Sequence, residues 1–384
     1  MKQYAVCTPE GTRDLLFNEC RALRRAEALL CELLSSRGYQ EVVTPTLEFF
    51  DVFRPDGGVR PLESLYSLFD PQGRVLVMRP DSTLPIARIA ATRLKDAFYP
   101  LRLYYRQSVF RRSARYAGEL DETMQGGLEL IGADGNAADM EVLLLSLELL
   151  EKCGGQYSLE LGHAGFFNAL AEYFGIGEQM RESIHLLLAA KDFAALGDLL
   201  DGAEQPEARE AISALPELFG GEEVLDRAER LVPTAKARQA LEQLRMVLGL
   251  LKDAGYEGKI SLDLSPNSWG SYYTGLVFRG YLAGCGHVVL SGGRYNKLLR
   301  EYGKDLPAIG MGVELGALSK LLEQPKAPAP DVLVFASPGR EVEALARVRE
   351  LAESGKTAEL ALNNSLAEAE CYAAARGISS IEQI

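Results

Sequence analysis

The chain has 384 residues, of which 47% are hydrophobic and 25% are charged. At about 150 residues per domain this length allows roughly two to three domains, whose core needs no disulfide or metal for its stability. The formal net charge of −13 argues against a protein that coats nucleic acid through bulk positive charge.

The sequence contains no signal for secretion or membrane insertion. Its N-terminal segment has no apolar signal region, and the longest apolar stretch, Val142–Leu150, is too short to span a bilayer. The six cysteines form no Cys-x-x-Cys pair and the three histidines lie far apart, so no metal site is expected. Scattered cysteines without a signal are typical of reduced thiols, which predicts a cytoplasmic protein.

The first third of the chain alternates between predicted helices and strands. Apolar residues at three- and four-residue spacing predict a helix over Leu15–Ser36, and Gly38 suits its C-terminal end. The pattern then predicts, in order, a strand over Gln40–Thr44, a strand over Val75–Met78, a helix from Ser82 or Thr83, strands over Leu101–Phe110 and Glu122–Ile131, a helix over Asp139–Lys152 and a strand over Ser158–Leu161.

A long helical block separates these strands from a second group. Residues from about 165 to 256 are almost entirely helix-forming, and strands are predicted again at Ile260–Leu264, Tyr272–Tyr281 and His287–Leu290. This order suggests a helical domain inserted into an α+β core over residues 1–323. After a proline-rich linker, residues 331–384 form a short α/β domain with elements at Val332–Phe335, Glu341–Glu353, Ala358–Leu362 and Leu366–Arg376.

Polar residues and glycine share one face of the strand predicted around Glu129. Strand side chains alternate, so Thr123, Gln125, Gly127 and Glu129 point to the same side. A carboxylate and an amide on a glycine-lined face can hold a small polar cation. An edge strand with a wet outer face would give the same pattern.

Asp81 and Thr83 lie at the predicted start of the second helix. Their simplest role is to cap that helix. Alternatively, the carboxylate and the hydroxyl accept hydrogen bonds from a ligand's ammonium group.

Arginines are concentrated on the predicted strand Leu101–Phe110 and in the loop that follows it. They can bind phosphate through bidentate contacts, or they can form a solvated face balanced by Glu119, Asp121 and Glu122. The arginines of this cluster are Arg102, Arg106, Arg111, Arg112 and Arg115.

Two later segments combine turn residues with aromatic residues. They are Ser271–Gly275 and Ser291–Tyr295. Each is typical of a strand edge or turn, but tyrosine is also suited to a ligand pocket, because it joins an apolar ring to a hydrogen-bonding hydroxyl. Walker A, GxGxxG, HExxH and GxSxG motifs do not occur in the sequence.

Taken in order, these segments resemble the class II aminoacyl-tRNA synthetases, and specifically the histidyl branch. The resemblance covers about residues 8–320 and includes the helical insert, which histidyl synthetases carry at the same place. It implies an α+β fold with an antiparallel sheet and flanking helices. The segments are PEGTRDLL, RGYQEVVTPTLE, VMRPDST, LRLYYRQSVFRR with MQGGLELIG, SYYTGLVF, SGGRYNKL and IGMGVEL.

Two departures from the histidyl synthetase pattern remove cations from the implied nucleotide site. The family arginine before the YYTG segment, which contacts the α-phosphate, falls on Ser268. The arginine of the third motif, which contacts ATP, falls on Ala317. Adenylate formation depends on cations fixed near the phosphate oxygens. The resemblance therefore implies a catalytically inactive chain, in which Arg111 is a relict of the phosphate site.

The amino-acid pocket of the family is retained. Asp81 and Thr83 match the residues that bind the ammonium of histidine, although the family has the longer glutamate at the first position. The remaining matches are Gln125 and Glu129 for the amino group and the imidazole, and Tyr272, Tyr273 and Tyr295 for the aromatic wall.

A histidine pocket without a phosphate site is similar to the regulatory-subunit family of ATP phosphoribosyltransferase, the synthetase paralogues of histidine biosynthesis. This resemblance implies a hetero-oligomer with the short-form catalytic subunit, with histidine as effector and no cofactor. It also implies self-association through the first-motif region around Val42, Val43 and Pro45. Residues 331–384 resemble a truncated anticodon-binding domain with few basic residues, so tRNA is not an expected partner.

Two other functions remain open at this point. The first is a divergent histidyl-tRNA synthetase, or a synthetase-like ligase with another acceptor, which pyrophosphate exchange with histidine would detect. The second is a sensor of uncharged tRNA, which a tRNA pull-down at moderate salt would detect.

Overall fold

The computed structural model of the chain describes residues 4, 6–53, 64–112, 120–201, 206–232, 234–265, 272–322 and 328–384. The chain divides into two compact units, over residues 1–323 and 324–384. The helices of the larger unit are α1 (Asn18–Ser36), α2 (Thr83–Ala91), α3 (Asn136–Lys152), α4 (Ala164–Tyr173), α5 (Glu178–Ala189), α6 (Phe193–Leu200), α7 (Pro206–Ala214), α8 (Glu223–Leu231), α9 (Ala235–Asp253) and α10 (Leu315–Leu321).

A nine-stranded sheet forms the centre of the larger unit, within the described residues. Its order is β1-β5-β6-β12-β11-β10-β7-β9-β8, and its inner pairs from β5 to β7 are antiparallel. The strands are β1 (Gln40–Glu41), β5 (Leu101–Phe110), β6 (Glu122–Ile131), β7 (Tyr157–His163), β8 (Phe219–Gly220), β9 (Ile260–Asp263), β10 (Leu276–Leu282), β11 (Leu290–Arg294) and β12 (Ala308–Glu314). A small separate sheet consists of β2 (Leu47–Phe49), β3 (Ser67–Phe69) and β4 (Val75–Met78).

The sheet separates two apolar cores. Leu128 and Leu130 of β6 are buried on one face, in a core that includes Leu30 of α1 and Leu143 of α3. Tyr105 of β5 faces the other way, in a second core shared with α2. Since strand side chains alternate between faces, β5, β6 and β12 contribute to both cores.

The sequence predictions hold best for long, strongly patterned elements. β5, β6 and β4 have the predicted bounds, and α1 begins only three residues after its predicted start. The interpretation of the Glu129 strand as an edge strand was wrong, because β6 lies between β5 and β12.

Glycine-rich segments were predicted less well. The strand expected at His287–Leu290 instead covers Leu290–Arg294, and the strand expected at Tyr272–Tyr281 begins only at Leu276. The strand expected at Gln40–Thr44 ends at Glu41. No prediction was made for β12, whose two glycines weaken the strand pattern.

The helical block packs around a continuous apolar core. Helix α9 lies against α4 and α3, and its buried residues include Leu241, Leu244 and Val247. The short strand β8 pairs with β9 at the edge of the sheet. Helix α9 also contacts β7, which pairs with β10.

The smaller unit is a three-stranded parallel sheet between two helices. Its order is β14-β13-β15, and α11 and α12 bury separate apolar clusters. Its elements are β13 (Val332–Phe335), α11 (Glu341–Glu353), β14 (Ala358–Leu360), α12 (Leu366–Arg376) and β15 (Ser380–Gln383). Across the part of the chain that the structure describes, no helix is long and apolar enough to cross a membrane.

Candidate functional site

The predicted pocket lies over a glycine-lined row in the middle of the large sheet. Residues directly opposite each other on neighbouring strands point to the same face. The row that contains Glu129 runs across five strands as Leu103, Glu129, Gly310, Gly293 and Val277. The two glycines leave room above the sheet for larger side chains and a ligand.

These glycines are required by close contacts. A Cβ atom on Gly310 would lie 1.8 Å from the Oε2 atom of Glu129. A Cβ atom on Gly293 would lie 2.9 Å from a ring carbon of Tyr273. The side chains of Glu129 and Tyr273 therefore lie across the glycines of neighbouring strands.

Glu129 is the central ionisable group of this face and is only 1% exposed. Its Oε1 accepts a hydrogen bond from the hydroxyl of Thr83 at 2.7 Å, and its Oε2 accepts one from the hydroxyl of Tyr295. Burial raises the pKa of Glu129 to about 8, although both hydrogen bonds oppose the shift. Nearby Asp81 raises the pKa further, so a bound cation or N–H donor would relieve an unfavourable charge.

Asp81 has the simpler of its two predicted roles, and its role as an ammonium acceptor stays a prediction. Its Oδ1 accepts the backbone N–H of Leu84 at 3.2 Å in the first turn of α2, so it does cap this helix. It also lies close enough to Glu129 to affect its pKa. Helix α2 therefore places Asp81 and Thr83 beside the same buried carboxylate.

Three tyrosines form an aromatic wall next to Glu129. The ring centroids of Tyr272 and Tyr273 are 4.7 Å apart, and those of Tyr272 and Tyr295 are 5.9 Å apart in an edge-to-face arrangement. Burial raises the pKa of all three hydroxyls, so they remain protonated hydrogen-bond donors at neutral pH. The structure thus brings the predicted aromatic and acidic residues together.

Gln125 lies on the same face as Glu129 and has a partner that the sequence analysis missed. The hydroxyl of Tyr105 donates to the Oε1 atom of Gln125 at 3.4 Å. Tyr105 is 1% exposed and lies opposite Gly127. Strand alternation identified Gln125. The same rule places Tyr105 on this face once β5 is paired with β6.

The arginine cluster proves to be divided between the two faces. Arg111 lies at the pocket end, where its Nε donates to the backbone carbonyl of Pro80 at 2.6 Å. Arg102 and Arg106 belong to the opposite face, since they alternate with the pocket-facing residues of β5. A single phosphate site over the whole cluster was therefore a wrong interpretation. Arg115 lies outside the described residues.

The partners of these two arginines also differ from the expected ones. Arg102 forms a bidentate pair with Glu141, at 2.8 Å to each carboxylate oxygen. Arg106 pairs with Glu27 at 3.0 Å and with Glu41 at 3.1 Å. These carboxylates come from α3, α1 and β1, and they stabilise the helix-covered face.

One of the two departures from the synthetase pattern falls on described residues. Ala317 lies in α10 and is 1% exposed, packed among apolar side chains. No cation occupies this position, and its surroundings are those of a core residue. Ser268 lies outside the described residues.

A buried polar network connects the pocket strand β11 to the helical block. Arg294 pairs with Asp139 of α3 at 2.6 Å, and Asp139 accepts the side-chain amide of Gln243 at 2.9 Å. Gln243, on α9, contacts His163 Nε2 at 3.0 Å, while His163 Nδ1 accepts a backbone N–H of α4. His163 therefore carries its proton on Nε2, and burial lowers its pKa.

The fold and this pocket define the chain as a protein of the histidyl class II synthetase type. A family model described as histidyl-tRNA synthetase matches residues 11–318. A solved histidyl-tRNA synthetase from Nostoc sp. PCC 7120 has the same fold, with a TM-score of 0.77 over 97% of this chain and 90% of that chain, at 21% identity.

Relatives that match this chain over nearly its whole length define its family within this class. The ATP phosphoribosyltransferase regulatory subunit of Clostridium kluyveri is 36% identical over 97% of this chain and 98% of that protein. The regulatory subunit of Desulfitobacterium hafniense is 38% identical over 92% and 91%, respectively. A solved protein from Bacillus halodurans C, described as an ATP phosphoribosyltransferase regulatory subunit/histidyl-tRNA synthetase, has a TM-score of 0.85 at 28% identity and covers 100% of this chain and 99% of that chain. The chain belongs to the family of ATP phosphoribosyltransferase regulatory subunits.

Proposed function

We propose that this chain is a non-catalytic regulatory subunit that acts with the catalytic subunit of ATP phosphoribosyltransferase and confers feedback by histidine. The observation that carries the proposal is a polar pocket on the sheet together with the absence of a cation at a motif position in α10. Glu129 and its hydroxyl donors form a pocket for an amino acid, whereas buried Ala317 occupies the position of an ATP-binding arginine.

The loss of synthetase chemistry follows from charge. Attack on the α-phosphate of ATP places negative charge on oxygens that must be stabilised by fixed cations. Loss of one such arginine in phosphoryl transfer costs on the order of 10³- to 10⁵-fold in rate. An alanine packed in an apolar core supplies no charge, so Arg111 would be left without its counterpart from the third motif.

Histidine has two groups that match the chemistry of the pocket, its ammonium and its imidazole. Asp81 and Thr83 have oxygens that can accept from the ammonium, while the Thr83 hydroxyl donates to Glu129. An imidazole N–H can donate to the Glu129 carboxylate, and the aromatic wall can pack on the ring. Such a donor would offset the cost of burying this carboxylate.

The proposed partnership makes histidine an allosteric effector. An effector shifts an equilibrium only by its different affinities for two states, so the subunit must bind histidine more tightly in the less active complex. The network from Arg294 to Gln243 gives the pocket strand a direct connection to the helical block. We propose that this block takes part in transmitting the change.

Self-association through the first-motif region is part of the same proposal. Val43 is 71% exposed, and neighbouring apolar side chains of the small sheet are also exposed. Exposed apolar side chains are typical of a protein interface when they cluster. The exposed side chains of the small sheet are Leu47, Phe49, Leu68 and Phe69.

The test uses the reconstituted complex of this chain with a short-form catalytic subunit. Transferase activity is titrated with histidine, using the wild-type chain and the Glu129→Gln variant. We expect the variant complex to retain activity and to require about 10- to 100-fold more histidine for half-inhibition. Equal half-inhibition concentrations would show that the effector acts at another site.

Two controls complete this test. The Glu353→Gln variant changes an exposed carboxylate of the smaller unit and should leave the titration unchanged. Pyrophosphate exchange with ATP and histidine is measured on the wild-type chain alone. A rate near that of a working synthetase would overturn the non-catalytic assignment.

A further inference from the structure

A second row of residues crosses the pocket face beside the Glu129 row. Its members lie directly opposite one another on neighbouring strands, so they point to the same side of the sheet. From β5 to β7 the row is Tyr105, Gly127, Gly312, Ser291, Arg279 and Glu160. Between Tyr105 and Arg279 the row contains two glycines and Ser291, so its largest side chain there is a hydroxymethyl group.

Part of this row is open to solvent. Ser291 is exposed although it lies on an inner strand of the sheet, between β10 and β12. Arg279, on the neighbouring strand, is half-buried. Across the two rows, this face thus has an acidic residue at one end, Glu129, and a cation at the other, Arg279.

The distance between these ends suits an amino acid. β6 and β10 are three strand spacings apart, and the two rows differ by two residues along the strand. With about 4.8 Å between strands and about 3.4 Å per residue, the Cα atoms of Glu129 and Arg279 lie about 16 Å apart. This separation is large enough for both side chains and a small ligand to lie between the two backbone positions.

We propose that Arg279 binds the carboxylate of the amino-acid ligand, opposite the acidic end of the pocket formed by Glu129 and Asp81. This inference rests on the proposed function, because it assumes that the ligand is histidine. A guanidinium is well suited to the role, since its planar donors bind a carboxylate in bidentate geometry. The ligand class is therefore a zwitterionic amino acid rather than a simple amine.

The groups around Arg279 fit this role. Tyr273, which belongs to the aromatic wall, is close enough to feel the charges of both Arg279 and Glu129. Arg279 also interacts with the hydroxyl of Tyr281, which in turn donates to Glu160 at 2.7 Å. Glu160 lies opposite Arg279 on β7 and competes with a ligand for it, and burial raises the pKa of this carboxyl.

The test compares three ligands by calorimetry on the full-length chain. L-histidine has the carboxylate, histidinol replaces it with an alcohol, and histamine lacks it. We expect wild type to bind histidine more tightly than either amine. Arg279→Gln should weaken histidine binding by about 10- to 100-fold and leave the affinities for histidinol and histamine within twofold. Arg279→Lys should recover part of the loss, because it restores the charge without the planar donors.

The other outcomes overturn specific statements. If Arg279→Gln weakens all three ligands equally, Arg279 supports the fold and not the carboxylate. If the variant binds histidine as wild type does, Arg279 is not the carboxylate ligand, and a selective loss in Arg111→Gln would assign that contact to Arg111. If the wild-type chain binds none of the three ligands, the proposed histidine-sensing function itself fails.

Discussion

One face of the nine-stranded sheet is covered by α1, α3 and α10, whereas the pocket region of the opposite face is built on glycines and polar side chains. Both faces are formed by the same strands. On β6, Leu128 and Leu130 point to the helices, and Gln125 and Glu129 point to the pocket. The comparison shows that alternate residues of one strand can stabilise the core on one face and line a pocket on the other.

The covered face also explains why the arginines are divided. Arg102 and Arg106 pair with carboxylates on the surrounding helices and strand, and they help to fix those elements on the sheet. Arg111 lies beyond the end of β5 and is held at the pocket by a backbone carbonyl. Proximity in sequence therefore grouped residues whose functions differ.

The largest expected effect comes from breaking the covered face. Leu128→Ala removes a fully buried side chain and leaves a cavity, which should lower the free energy of unfolding by about 2–5 kcal/mol. Gln125→Ala, three residues away on the pocket face, should cost about 1 kcal/mol or less, since its hydrogen bond to Tyr105 is long. Urea denaturation of both variants measures the difference. Equal losses would contradict the assignment of stability to one face.

A smaller effect on stability, but a large one on binding, is expected from Gly310→Ala. The added Cβ would collide with the Glu129 carboxylate, so that side chain must move. We expect a cost of about 1–3 kcal/mol in stability and at least about a tenfold loss of histidine affinity. Gly316→Ala is the matched control, because nothing lies within 4 Å of its added Cβ and it is part of α10. Unchanged histidine affinity in Gly310→Ala would argue against a ligand above this row.

The pH dependence of stability gives a finer test of the pocket face. The pKa of Glu129 is about 8 in the folded chain against an ordinary value of 4.5, so the folded state holds an extra proton between these values. The stability linked to this proton is fully present below pH 4.5 and is lost as the pH rises through about 8. Glu129→Gln should flatten the fall in unfolding free energy over this range. The same slope in both proteins would mean that Glu129 is ionised throughout.

Sequence reasoning succeeded where the pattern was local. The alternation of β6 identified the face that carries Glu129, and the helix start identified Asp81 and Thr83. The wider architecture came from the family resemblance, which also assigned the three tyrosines to one wall. Their contacts confirm that these residues lie together, while their role in binding stays a prediction.

Sequence reasoning failed where the important contacts join residues that are distant in the chain. The sequence analysis did not identify Thr83 and Tyr295, 46 and 166 residues away, as the hydroxyl donors to Glu129. Arg106 was assigned to the wrong acidic partners, because Glu27 lies 79 residues earlier in the sequence. Arg279 could be located on the pocket face only from the register of five neighbouring strands.

The most direct test of the central claim is a calorimetric titration of the purified chain with L-histidine, for wild type and Glu129→Gln. A charge-assisted hydrogen bond to the buried carboxylate predicts that wild type binds and that the variant loses about 1.5–3 kcal/mol of binding free energy. Thermal unfolding of the variant confirms that it is folded. Equal affinities in the two folded proteins, or no binding to wild type, would contradict the account.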